Sequence, residues 1–168
     1  MNLSGYDVKI AESKDATKVL ALLKDVANWL KHKGLKQWES VLHGKDDADI
    51  IAAIEHRETY MVKKDDLLVA TFTLYPYATS WDEWLWQDAK QAVYLHKLAI
   101  IPAEAGKGLG KQILHWVENE LRNKGGGTIR LDCVAENEKL NHFYRENGYR
   151  KMGIRHGFSL YEKQLIGK

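Results

Sequence analysis

The stretch Ile100-Ile-Pro-Ala-Glu-Ala-Gly-Lys-Gly-Leu-Gly-Lys111 decides how this chain is read. An apolar run, Ala92–Ile101, enters it with strand character, and Pro102–Lys107 breaks the strand. Gly108–Lys124 leaves it as an amphipathic helix in which Leu109, Ile113, Val117 and Leu121 recur every four residues. Glycines at Gly106, Gly108 and Gly110 let backbone N–H groups converge without Cβ crowding. The helix N-terminus adds unpaired donors and the positive end of the helix dipole. Together these predict a cradle for a phosphate or pyrophosphate, with charge added by Lys107 and Lys111. A strand-to-helix turn without a ligand needs fewer glycines.

Outward from this loop, periodicity predicts the rest. Upstream, Tyr6–Ala11 reads as a strand, Ala16–Lys33 and Asp46–Arg57 as helices, and Thr59–Lys63 and Leu67–Tyr75 as two strands joined by a charged turn. Pro76–Lys90 lacks a clean period and reads as a loop with room for a short helix. Downstream, Thr128–Val134 is a strand and Asn137–Asn147 a helix closed by Gly148. Tyr149–Arg155 and Phe158–Gln164 form a final antiparallel pair. The predicted order is β-α-α-β-β-β-α-β-α-β-β. The strand–helix–strand run over residues 92–134 implies one parallel pair in an otherwise antiparallel sheet. The fold class is therefore α/β (α+β), a mixed sheet flanked by helices.

Three phosphate-binding arrangements compete for the glycine loop. A dinucleotide fold wants G-x-G-x-x-G early in the chain, and G-K-G-L-G does not match. A nucleotide P-loop comes closer, since four residues separate Ala105 from Gly110-Lys111 and TIRLD (128–132) is an apolar strand ending in Asp. Gln112, however, stands where a magnesium-binding hydroxyl belongs. The third is a coenzyme A loop, and a second motif joins it: Asn137-Glu-Lys-Leu-Asn-His-Phe-Tyr144, followed by Arg-Glu-Asn-Gly-Tyr149.

In this pairing of motifs the chain resembles the GNAT superfamily of N-acetyltransferases. The family's pyrophosphate loop reads Arg or Gln, two residues, Gly, one residue, Gly or Ala. Gly108 and Gly110 match, and Ala105 stands in place of Arg or Gln. Asn137–Tyr149 is similar to the family's Asn-x-x-Ala-x-x-Phe-Tyr-x-x-x-Gly-Phe/Tyr signature, with Leu140 for Ala. The match covers residues 92–153. The resemblance implies a single domain over residues 1–168, with the parallel pair splayed at the coenzyme site, and acetyl-CoA or coenzyme A bound by Ala105, Gly106, Lys107, Gly108, Leu109, Gly110 and Lys111. It implies that the backbone of Leu98 and Ile100 pairs with the pantetheine and faces the thioester carbonyl. Asn137, Leu140 and Phe143 would adjoin the pantetheine, and Tyr144 would protonate the departing thiolate as catalytic acid. A coenzyme-A-binding sensor without turnover on the same fold is the alternative, and a P-loop-like nucleotide module is a further one.

Composition narrows the partners. The 168 residues carry a net charge of +2, which gives no argument for a nucleic-acid or membrane partner, and neither is expected. The N-terminal MNLSGYDVKI lacks a signal-peptide core, and with one cysteine, Cys133, no intrachain disulfide forms; a cytoplasmic protein fits. No metal ligands are expected. The six tryptophans include Trp81, Trp84 and Trp86. Aromatic walls beside carboxylates suit a cationic amine, a small molecule or a peptide, so Trp38, Tyr75, Trp81, Glu83, Trp84 and His96 are the expected acceptor contacts. The alternative for the tryptophans is a core cap or a homodimer contact. An ammonium acceptor must lose a proton, and the base candidates are His96, Glu83, Asp88 and Glu39.

Overall fold

The computed structural model describes residues 2–35 and 37–167. In chain order its elements are strands β1 (Asn2–Leu3) and β2 (Tyr6–Ile10), helices α1 (Ala16–His32), α2 (Glu39–Leu42) and α3 (Asp47–Glu55), and strands β3 (Thr59–Lys64) and β4 (Leu67–Tyr75). Helix α4 (Ser80–Trp86), strand β5 (Val93–Ile100), helix α5 (Leu109–Asn123), strand β6 (Gly126–Val134), helix α6 (Glu138–Glu146) and strands β7 (Arg150–Arg155) and β8 (Phe158–Ile166) follow. The chain divides into two compact units. One holds the chain through Leu74 with Lys97–Gly110; the other holds Tyr75–His96 and the chain from Lys111.

In the first unit β1, β2, β3 and β4 are antiparallel neighbours, with Ile10 opposite Tyr60 and Tyr60 opposite Phe72. The stripe Val19, Leu22, Leu23 and Val26 of α1 is buried with Ile50 and Ile54 of α3, Met61 of β3 and Ala99 of β5. Full burial of such a side chain stabilises by about 1.5–3 kcal/mol, so this stripe is the main cohesive contact of the unit. Beyond β5, the Ile101 N–H donates to the Val69 carbonyl at 3.0 Å.

In the second unit the strand order is β5, β6, β8, β7. β5 and β6 are parallel, with Val93 opposite Ile129 and Tyr94 opposite Arg130. β6 and β8 form a long antiparallel register from Gly126↔Ile166 to Val134↔Phe158. At its end Gly126 has φ +85, and a Cβ there would come within 2.5 Å of the Gly167 nitrogen, so glycine is the residue the turn admits. The expected mixed α/β fold with one parallel pair is the fold observed.

Three short elements complete the fold. Between the two helices expected at Ala16–Lys33 and Asp46–Arg57 lies the four-residue α2. The two-residue β1 pairs Asn2 with Asp7 and Leu3 with Tyr6, which no period reveals. Pro76–Lys90, read as a loop with room for a short helix, contains that helix as α4.

Candidate active site

The glycine loop opens outward. A short 3-10 turn, Pro102–Glu104, leads through extended Ala105 to Gly106 and Gly108, whose φ values are +75 and +80. A Cβ at either would meet nothing within 4 Å, so the backbone is bare where an anion would approach. Leu109, 1% exposed, anchors the first turn of α5, and Lys107 and Lys111 remain exposed beside it. Bare backbone, a helix start and two lysines fit a pyrophosphate. Ala105 is exposed and adds no charge of its own.

The residue before it does add charge. Glu104, buried, accepts the Tyr6 hydroxyl hydrogen bond at 2.6 Å and pairs with Lys107 at 3.3 Å and Lys64 at 3.8 Å. The Tyr6 hydrogen bond and the two lysines hold its carboxyl below the usual carboxylate range. This brace between β2 and the loop was invisible in the sequence, because 98 residues separate its partners.

On β5, Leu98 and Ile100 are half-buried and flank core residue Ala99, so they share the opposite face. Lys97 before them has φ +51, which breaks the alternation of the strand.

In the second unit, α6 carries the second motif. The Asn137 Oδ1 accepts the Leu140 N–H at 3.1 Å and caps the helix. Leu140 and Phe143 are half-buried. Tyr144 is buried, its ring 5.3 Å from Phe143, 5.8 Å from Tyr161 and 6.0 Å from Tyr149. Burial, then the charges of Cys133 and Asp132, push its hydroxyl pKa up, so Tyr144 is protonated at neutral pH. Asn141, absent from the expected site, fixes this helix: its Nδ2 donates to the Asn137 carbonyl at 2.8 Å and its Oδ1 accepts the Tyr161 hydroxyl at 2.6 Å. Cys133 is buried and its thiol is pushed up to about 12 by burial, which suits its reading as a small core residue.

The aromatic segment folds around a capping box. Asp82 takes the Thr79 N–H at 3.0 Å and the Thr79 hydroxyl at 2.8 Å, and the Thr79 hydroxyl oxygen accepts the Asp82 N–H. Thr79-Ser-Trp-Asp82 is the sequence signature that could have placed α4. Asp82, 1% exposed, also receives His96 of β5, whose Nε2 lies 3.0 Å from each carboxylate oxygen. Tyr75 packs its ring edge-on to His96 at 5.0 Å. Tyr75, Asp82 and His96 thus converge, although Asp82 was not among the expected site residues.

Trp81 and Trp84 stay together, ring to ring at 5.2 Å, while Trp86 turns inward. Trp84 stacks on His156 at 4.0 Å, and Trp81 packs on Phe158 at 4.9 Å while its Nε1 donates to Asp132 at 3.2 Å. The Arg155 guanidinium donates to Gln87 beside them. Trp86 is buried under the Arg130 guanidinium at 3.9 Å. Trp38, at φ +62, packs against the core of the first unit. Glu83 and Glu39 are exposed. Asp88, named as a base candidate, is instead held by both terminal nitrogens of Arg130 at 2.7 and 2.8 Å, and that hydrogen bonding lowers its pKa. A carboxylate so committed is a poor proton acceptor.

Comparison with known proteins shows the family. Residues 23–149 match the model of the acetyltransferase (GNAT) family. The chain is 39% identical over 167 residues to "Uncharacterized N-acetyltransferase YesJ" of Bacillus subtilis (strain 168), covering 98% of this chain and 93% of the relative. A GNAT-family acetyltransferase structure from Listeria monocytogenes 4b F2365 is 34% identical, with a TM-score of 0.84 and 95% of each chain covered. The PaiA N-acetyltransferase of Thermoplasma acidophilum, solved in complex with coenzyme A, shares the fold at 16% identity, with a TM-score of 0.75 over 95% of this chain and 98% of its own. Among the described residues no helix is long and apolar enough to cross a membrane. With the family model spanning most of the chain and the glycine loop open for an anion, the protein belongs to the GNAT family of acetyltransferases.

Proposed function

We propose that this acetyltransferase moves the acetyl group of acetyl-CoA to the nitrogen of a small cationic or peptide amine by direct attack. The observation that carries the reading is the open backbone at Gly106 and Gly108, at the start of a 15-residue helix flanked by Lys107 and Lys111. That arrangement fits the pyrophosphate of coenzyme A, the ligand held by the PaiA structure. When bound, acetyl-CoA supplies the activated acyl group. The chain's own part is to hold and to move protons. Ala105–Lys111 takes the pyrophosphate through backbone donors. The backbone at Leu98 and Ile100 takes the pantetheine and the developing oxyanion. Asn137, Leu140 and Phe143 flank the thiol end, and Tyr144, which keeps its proton, donates it to the leaving sulfur. Trp38, Tyr75, Trp81, Glu83, Trp84 and His96 are proposed for the acceptor.

Calorimetric titration with acetyl-CoA, coenzyme A and ATP tests the donor. Binding of the first two without ATP is expected; ATP–magnesium binding without coenzyme A overturns the reading. A panel of polyamines, amino acids, aminoglycosides and peptides with thiol release as readout then separates turnover from mere binding.

A further inference from the structure

We propose that His96 takes the proton from the acceptor ammonium, and that Asp82 is its positioning residue. This rests on the acetyl-transfer reading above and names the proton acceptor that reading leaves open. All the residues involved lie in the second unit.

The argument starts from hydrogen-bond polarity. Asp82 Oδ2 accepts the Thr79 N–H and O–H, and His96 Nε2 lies 3.0 Å from both carboxylate oxygens. An ionised carboxylate has only acceptor capacity, so the nitrogen facing it carries the hydrogen. With Nε2 protonated, the neutral ring has its lone pair on Nδ1, the tautomer of a base. The ring is held on a second side by the edge of Tyr75. Asp82 is itself fixed by the cap of α4, so its position is set before any substrate arrives. The His96 side chain keeps 12% of its surface exposed against 1% for Asp82, so the histidine, not the acid, meets the solvent-borne amine. The other candidates lack this construction. Asp88 is spent on Arg130, and Glu39 and Glu83 are exposed.

The step balances without a co-reactant. An N–H bond of the ammonium breaks, the proton passes to Nδ1, and the resulting imidazolium is stabilised by Asp82. The freed electron pair on nitrogen attacks the thioester carbon. The C–S bond then breaks, the sulfur leaves with its electron pair and takes the Tyr144 proton, the second N–H proton of the new amide returns to the Tyr144 oxygen, and His96 gives its own proton to water.

The same contacts would also pin α4 to β5, so the test must read more than stability. In the full chain labelled with 15N-histidine, long-range proton–nitrogen correlation reads the tautomer, and His96→Gln assigns the signal. An Nε2-protonated ring is expected, redistributed by Asp82→Asn, whose amide can donate to Nε2. An Nδ1-protonated ring, or one that keeps both protons at alkaline pH, overturns the proposal. In thiol-release assays, His96→Gln should lose about 100-fold or more with alkylammonium acceptors. It should retain near-wild-type rates with an arylamine, which arrives neutral. Asp82→Asn should fall roughly 10–100-fold in kcat with little change in KM. Equal losses with neutral and charged amines overturn the proton-acceptor role alone. Silence of the wild type with every amine, with acetyl-CoA still bound, is failure of the transfer reading itself and takes this proposal with it.

Discussion

The glycine loop and the corner formed by α4 and β5 are built in opposite ways. The loop is made of consecutive residues, and its chemistry is backbone: Gly106 and Gly108 turn through positive φ with nothing above them, and α5 begins at once. The corner is made of side chains brought together from a distance: Thr79 and Asp82 on Tyr75 and His96, and Trp86 and Asp88 on Arg130 and Glu162. A backbone site tolerates change in its side chains and fails when its φ values are denied. A side-chain site fails when one partner of a buried set is removed. The loss of the usual Arg or Gln at position 105 is an instance of the first kind.

The sharpest way to break this contrast is to cut the corner. Arg130, nearly buried, binds Glu162 at 2.9 Å, Asp88 at 2.7 Å and the Tyr94 hydroxyl at 3.2 Å. Arg130→Ala removes the buried partner of Glu162 and leaves it Lys90 as its remaining charge partner, so the change should cost up to about 3–5 kcal/mol in a denaturant melt. A loss below about 1 kcal/mol would put the corner among weak surface ion pairs instead. Next, Gly108→Ala should lose stability by roughly 1–2 kcal/mol from the left-handed backbone alone. The same change should weaken acetyl-CoA binding, whereas Lys107→Ala should weaken it less. The reverse ranking in calorimetry would make the loop a side-chain site.

Acid supplies a third test. Burial works to raise the Glu162 pKa but is outweighed by hydrogen bonds from Lys90 and Arg130, and Arg130 lowers Asp88. Both carboxyls therefore titrate lower in the folded chain than in the unfolded one. Their contribution is complete above the usual carboxylate range and is lost as pH falls through their folded values. Thermal melts should show the midpoint falling with acidification, and Glu162→Gln should flatten that fall; an unchanged slope would exclude Glu162 as its source. The smallest effect expected is at the cap of α4. Thr79→Ala should cost about 1 kcal/mol, with loss of His96 tautomer order if the cap holds Asp82 in place.

Much of the chain is legible one residue after another. The helical stripe of α1, the pair of final strands around His156-Gly157, and the motif on α6 all show in local spacing. The segment around Trp81 does not. Helix α4 is short, its Trp81 and Trp84 are partly exposed, and its sign is the Thr79–Asp82 capping box rather than a period.

By itself the sequence determined the bare glycine turn before α5, the order of the main elements, the parallel pair and the family, because each of these is encoded in neighbouring residues: glycine freedom, helical spacing, a strand–helix–strand run. Only the tertiary structure decided which charges are committed. Asp82 meets His96 across 14 residues, Arg130 meets Glu162 across 32 and Asp88 across 42, and Glu104 meets Tyr6 across 98. Whether an acid is a free base, an orienting partner or half of a buried ion pair depends on what packs against it. Local spacing carries no record of contacts made across such distances in the chain.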